Sequence, residues 1–176
     1  LRHGFEETMV NIIHPFFERV GILWQTGTIR PAQEHFISNL VRQKVIVAID
    51  AQVVPNGSNV KRYLLFLPEH ELHELGLLFA SYLLRSRGNR VVYLGQGLPE
   101  DDLDSVYEAY APNYIYSILT MDPPKETALA FLDRLGQTFP NSIILATGNA
   151  VKGLESEQPN VQILHTMPEL LEIASN

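Results

Sequence analysis

The chain has 176 residues, 45% of them hydrophobic, with a net charge of −7 and no cysteine. That size and apolar content allow one large domain, or a small one plus a medium one, around a shielded core. The acidic balance and the lack of any Lys/Arg run exclude a phosphate-backbone footprint within these residues, and the missing cysteines exclude disulfide scaffolds and thiolate metal sites, so a reducing, cytoplasmic setting is expected.

No stretch reaches the roughly 18 apolar residues of a membrane helix. The apolar run from Val45 to Val54 is broken by Asp50 and Gln52, and no signal peptide is visible. The chain starts at Leu1 with a helical pattern already under way, as expected of a piece of a longer protein.

The first predicted helix runs from about Phe5 to Gln25. Met9, Ile12, Ile13, Phe16, Phe17, Val20, Leu23 and Trp24 recur at three- and four-residue steps. Pro15 lies inside that pattern and should kink or break it, because it removes a backbone donor. Thr26, Gly27 and Thr28 form a turn, and Pro31 suits the first turn of a second helix. Phe36, Leu40, Val41, Val45, Val47 and Ile49 carry that helix towards Gln52. Two helices with so wide an apolar face need partners, as in a four-helix bundle, from residues upstream or from a second copy of the chain. Residues 54–59, Val-Pro-Asn-Gly-Ser-Asn, read as a linker. The expected division is a helical cap (a partial four-helix bundle) over 1–53, the linker over 54–59, and an α/β domain over 60–176.

Past the linker the pattern alternates. Predicted strands are Arg62 to Leu67, Arg90 to Leu94, Tyr114 to Ile118, Ser142 to Ala146 and Val161 to Leu164. Predicted helices are Leu72 to Ser86, Pro99 to Tyr110, Pro124 to Phe139, Val151 to Ser156 and Met167 to Ala174. The strands are short, apolar and rich in β-branched or aromatic residues, as in a sheet covered on both faces. Five β-α units in series predict a flavodoxin-like, doubly wound, five-stranded parallel sheet. Ligands of such sheets sit beyond the carboxyl ends of the strands, which directs attention to the loop after the first.

That loop reads Pro68-Glu69-His70-Glu71-Leu72-His73-Glu74-Leu75-Gly76, with two histidines and three acids. No GxGxxG motif is present, and Gly95-Gln96-Gly97 lacks a third glycine, so a dinucleotide site is unsupported. Three readings of the loop stand side by side. It is a solvated helix start, where acids are favoured. Or His70 and His73, three residues apart, share a zinc ion, although no third ligand stands out and the HExxH order is absent. Or the pattern Glu71-x-His73-x-x-Gly76 holds a metal-centred cofactor.

The third reading rests on a resemblance. Glu71-x-His73-x-x-Gly76 after a first strand resembles the Asp-x-His-x-x-Gly signature of cobalamin-binding domains, with Glu in place of the commoner Asp. The resemblance implies that His73 displaces the cofactor's own benzimidazole and coordinates cobalt from below, with the released nucleotide tail threading into the sheet. A neutral imidazole suits cobalt, and a carboxylate two residues earlier can accept its other N–H. Gly76 would leave the helix start bare for the tail. Ser117-Ile118-Leu119-Thr120 fills the place of the family's Ser/Thr-x-Leu element, so Ser117, Leu119 and Thr120 are expected at the tail. Thr147-Gly148 fills the place of its Gly-Gly element, with Thr at the first position.

The helical part carries Trp24, then nine residues, then Glu34-His35. By themselves a core aromatic and a surface pair explain these residues. The spacing also resembles the signature of light-sensing, adenosylcobalamin-dependent repressors of the MerR class. That likeness implies Trp24 over the upper face of adenosylcobalamin, with Glu34 and His35 helping to enclose the adenosyl group. It implies a regulator rather than an enzyme, a homo-oligomer, and DNA contact only through an upstream helix-turn-helix outside this chain. In the best-known light sensors a His follows the Trp; here it is Gln25, so sensing of cobalamin in the dark is a second form of the same function. The rival is a corrinoid carrier subunit of a methyltransferase or mutase. Methyl carriers usually continue the site as His-Asp-Ile-Gly-Lys, whereas this chain reads His73-Glu74-Leu75-Gly76-Leu77, without the Lys.

Overall fold

The computed structural model describes residues 4–25, 27–53, 57, 60–99, 102–123 and 126–175, with the side chains of residues 18, 21, 22, 24 and 25 outside that description. It divides into two units, Leu1–Ala51 and Gln52–Asn176. The linker expected over 54–59 lies outside the described residues except for Gly57.

The first unit is helical. α1 (Phe5–Thr8) passes into a π-helical turn over Met9–Ile13, then α2 (His14–Gln25). The π turn is the form the expected break takes. Pro15 has no N–H for the carbonyl four residues back, so the ladder is relieved by one wide turn just before it. α3 (Pro31–Asp50) follows. Pro31 occupies its first position, and the Gln33 side chain accepts the Arg30 N–H at 3.1 Å, satisfying one orphan donor.

The second unit is the expected α/β domain. Its strands are β1 (Arg62–Pro68), β2 (Arg90–Leu98), β3 (Tyr114–Ile118), β4 (Ile143–Thr147) and β5 (Val161–Ile163). All pairs are parallel, in the order β2-β1-β3-β4-β5. The helices are α4 (Glu74–Ser86), α5 (Leu103–Tyr110), α6 (Ala128–Thr138) and α7 (Met167–Ser175).

β1 explains the layering. Tyr63, Leu64, Leu65, Phe66 and Leu67 are all fully buried. Alternate residues face opposite sides. Tyr63, Leu65 and Leu67 pack with Leu77 and Leu84 of α4 and Leu170 of α7. Leu64 and Phe66 pack with Leu103 of α5 and Phe131 and Leu132 of α6. Each such side chain contributes roughly 1.5–3 kcal/mol by leaving water, so an unbroken apolar run is stable only with helices on both faces.

Several boundaries differ from the sequence reading; α5, for one, begins at Leu103 rather than at Pro99. β2 continues past Leu94 to Leu98 through a register shift: Leu65 pairs with Tyr93, but Phe66 pairs with Gly95. Gly95, at φ +79°, takes a bulge conformation that is costly for other residues. α6 starts at Ala128 rather than at Pro124, which lies outside the described residues. Thr127 caps it by accepting the Ala130 N–H at 3.2 Å, and Asp122 accepts the Ala128 N–H at 2.7 Å. The helix expected over Val151 to Ser156 is absent. Only a 3₁₀ turn forms there, over Asn149–Val151, and Gly153 at φ +74° turns the chain away.

The strand order reverses direction between β1 and β3, so the loops after these two strands border the crevice at the switch point. Among the described residues no helix is long and apolar enough to cross a membrane.

Candidate functional site

β1 ends at Pro68, and a turn closed by the Glu71 N–H on the Pro68 carbonyl (3.2 Å) follows at once. His70 takes φ +70° inside that turn, a left-handed conformation uncommon for a non-glycine residue. The turn drives Glu71 inward, to 3% exposure, and leaves His70 and Leu72 outside. α4 therefore begins at Glu74, not at Leu72. His73 is its N-cap, with its own N–H bonded to Glu71 Oε1 at 3.0 Å.

A buried carboxylate needs compensation. Glu71 Oε1 lies 2.6 Å from His73 Nδ1. Glu71 Oε2 accepts both the backbone N–H and the hydroxyl of Thr120, each at 2.7 Å. Burial alone would push the carboxyl's pKa up, but the hydrogen bonds from His73 and Thr120 outweigh it and draw the value down to about 2. Glu71 is thus an anion at neutral pH.

That charge decides the histidine tautomer. An ionised carboxylate can only accept, so the ring's Nδ1 carries the proton. The Thr120 hydroxyl, 3.0 Å from Nδ1, already donates its hydrogen bond to Glu71 Oε2 and can only accept there too. With Nδ1 protonated, the neutral form of the ring carries its lone pair on Nε2, and the His73 side chain is 64% exposed. A neutral, oriented, outward imidazole whose other nitrogen is held by a carboxylate is the donor arrangement of a metal-ligating histidine. Beside it, Tyr93 donates to Glu74 Oε1 at 2.9 Å, tying the first turn of α4 to β2.

The remaining expected residues are distributed as follows. Thr120, just past the end of β3, meets the histidine site itself rather than acting only as wall, and nothing local to it in the sequence signals that contact. Ser117 is buried and donates to the Phe66 carbonyl at 2.9 Å, bridging β3 to β1. Leu119 is buried in the core layer of α5 and α6. A Cβ at Gly76 would stand 2.9 Å from Ile118 Cδ1, so this glycine lets α4 approach β3. Gly148 permits a closer approach: a Cβ there would lie 2.1 Å from the Leu119 carbonyl oxygen, and its φ is +123°. Leu119 N–H bonds to Thr147 O at 2.8 Å, and Ala150 N–H to Leu119 O at 3.1 Å, so Thr147 and Ala150, on either side of Gly148, clamp the β3 loop through backbone alone. Glu34 and His35 lie in the first turns of α3, with Oε2 and Nδ1 3.2 Å apart and His35 73% exposed. Trp24 falls in α2, and its side chain is outside the described residues. Among the described residues no cluster of three or more His, Cys, Asp or Glu side chains could hold a metal ion, so the His70–His73 zinc reading gains no third ligand.

Residues 1–48 match the model of a family described as the B12 binding domain. The HTH-type transcriptional repressor CarH of Myxococcus xanthus is 34% identical over 139 residues, 79% of this chain and 46% of that protein. Over its first 48 residues the chain belongs with the B12 binding domain family. CarA, a second HTH-type transcriptional repressor of the same organism, is 31% identical over 116 residues, 65% of this chain and 39% of its own length. The chain thus spans less than half the length of these curated relatives. The monomethylamine corrinoid protein of Methanosarcina barkeri superposes with a TM-score of 0.64 at 13% identity, covering 90% of this chain and 76% of that one. The methanol:cobalamin methyltransferase complex of the same organism gives a TM-score of 0.54 at 13% identity, covering 96% and 65%. These two structures establish a shared cobalamin-domain fold and no more.

Proposed function

We propose that this chain is the cobalamin-binding sensory part of a MerR-class transcriptional regulator, that it takes adenosylcobalamin base-off, and that His73 is the lower ligand to cobalt. The observation that carries the reading is the 2.6 Å contact between His73 Nδ1 and the buried Glu71. Its donor chemistry fits the group: the pair presents Nε2 outward, at the carboxyl edge of the sheet, where the fold's ligands bind. When bound, the cofactor would be held by His73 and would supply a cobalt centre with a light-labile cobalt–carbon bond.

The protein's own residues do the rest. Glu71 holds the proton at Nδ1 and keeps the ring from turning. Thr120 holds Glu71. The β3 and β4 loops, clamped at Leu119 and Gly148, border the place of the nucleotide tail. On the helical unit, Trp24, Glu34 and His35 are assigned to the adenosyl side. The curated relatives are repressors, which supports a regulator over an enzyme; at 13% identity the methyltransfer proteins lend no activity. Homo-oligomerisation, cytoplasmic location and DNA contact through a separate helix-turn-helix belong to the same proposal.

The test is an absorbance titration with adenosylcobalamin in darkness. The intact protein is expected to give a base-off, histidine-ligated spectrum, and His73→Ala to lose it. A spectrum identical to that of the free cofactor, from a protein folded by circular dichroism, defeats the proposal. Illumination followed by gel filtration then separates light sensing, in which the assembly changes, from dark sensing of the vitamin, in which it does not.

A further inference from the structure

The opposite end of the sheet holds a second polar concentration. β2 starts at Arg90, α4 ends in Arg85, and α5 ends at Tyr110, so all three residues gather below the amino ends of the strands. There a cavity of about 260 Å³ is lined by Arg85, Asn89, Arg90, Val91, Val92 and Tyr110 among others. Among the described residues its lining includes two arginines and no carboxylate, in a chain whose net charge is −7.

Two details mark this as a prepared place. The Tyr110 hydroxyl is buried and, among the described residues, has no hydrogen-bond partner. A buried hydroxyl left in that state costs about 1–3 kcal/mol, so such groups ordinarily have a partner. Burial raises the Tyr110 pKa, and the positive charges of Arg62, Arg85 and Arg90 all act on it in the opposite sense; Arg62 stands opposite Arg90 in the β1–β2 register, beside the cavity lining. Arg85 is held in position: its Nη2 donates to the Val91 carbonyl at 2.6 Å and its Nε to Ser81 Oγ at 3.4 Å. Burial lowers the Arg85 pKa, the mark of a cation in a poorly solvated setting.

We propose that Tyr110, with Arg62, Arg85 and Arg90, forms a binding site for a small oxyanion of the phosphate class, on the side of the sheet away from His73. An oxyanion accepts several N–H and O–H bonds at once and supplies an acceptor for the Tyr110 hydroxyl. Occupancy would brace the ends of α4 and α5 against β1 and β2. The site is independent of the cobalamin reading, and its test needs no cofactor.

Inorganic phosphate is titrated against the full chain at constant ionic strength, with sodium chloride as the replacement salt. Thermal unfolding and the ³¹P line width are followed together. The wild type is expected to show saturable stabilisation and line broadening with phosphate and neither with chloride. Tyr110→Phe preserves the ring and removes the donor; it should weaken apparent phosphate affinity about tenfold. Arg62→Gln should weaken it by a similar factor through a different strand. AMP is run in parallel: tighter binding than inorganic phosphate identifies the oxyanion as the end of a nucleotide, and equal or weaker binding identifies the free ion. Equal responses to phosphate in the wild type and in a folded Tyr110→Phe protein overturn the proposal, as does equal stabilisation by chloride.

Discussion

Acid should take the site apart in a measurable way. The Glu71 carboxyl has its pKa drawn from 4.5 to about 2 by its hydrogen bonds. A folded-state value below the unfolded one stabilises the fold above the unfolded pKa, and that stabilisation disappears as pH falls through the folded value. The shift corresponds to about 3 kcal/mol at pH 7, and roughly 2 kcal/mol of that should be gone by about pH 3. Glu71→Gln is the matching perturbation. Its single oxygen can serve either Thr120 or His73, and its amide then points an N–H at the other donor. We expect Glu71→Gln to be about 3 kcal/mol less stable than the wild type at pH 7, with the gap closing to about 1 kcal/mol near pH 3. Urea unfolding of the cofactor-free chains, followed by tyrosine near-ultraviolet circular dichroism, is a suitable assay. All seven tyrosines lie beyond residue 60, so their bands report the α/β unit, with Trp24 the one overlapping chromophore of the helical unit. A gap that is the same at both pH values would refute the reasoning, because the bonds to Glu71 would then not favour its ionised form.

Further expectations concern ligand binding and close packing. Glu71→Gln should also weaken cobalamin binding about 10- to 100-fold, since the amide favours the tautomer with the proton on Nε2; a spectral titration measures it. Gly148→Ala should cost about 3 kcal/mol or more, or prevent folding, because the new methyl meets backbone and not a movable side chain; its melting temperature reports this. Gly76→Ala should cost less, about 1 kcal/mol, because the obstacle is the tip of Ile118, and Ile118→Val in the same chain should recover most of that loss in a double-mutant cycle. Trp24→Ala should weaken adenosylcobalamin binding more than methylcobalamin binding; equal losses in parallel titrations would remove Trp24 from the adenosyl side.

Much of this was legible in the residues, for a physical reason. Hydrophobic period and length separate strands from helices, so the sheet and its two faces follow from runs such as Tyr63 to Leu67. The Glu71–His73 pair was legible because a carboxylate and an imidazole two residues apart have a specific joint chemistry. What stayed hidden depends on through-space contacts. Nothing local to Thr120 says that its hydroxyl will meet a carboxylate 49 residues earlier. Gly76 was read as a clearance for a ligand, and the structure adds a second demand on it, the nearby Ile118; Gly148 likewise stands against the Leu119 backbone. The missing helix after Val151 and the extension of β2 both turn on glycines at positive φ, Gly153 and Gly95. Sequence marks such residues as permissive without saying which way the chain will bend.

The position of Thr120 has one more consequence. The carboxylate that sets the histidine's tautomer is shared evenly between two loops, one oxygen facing each. Copying residues 68–76 into another parallel sheet would therefore transplant the imidazole without its anchor. The recipient would also need a hydroxyl, with its backbone N–H, just past the neighbouring strand. The smallest transferable unit is a pair of adjacent strand ends.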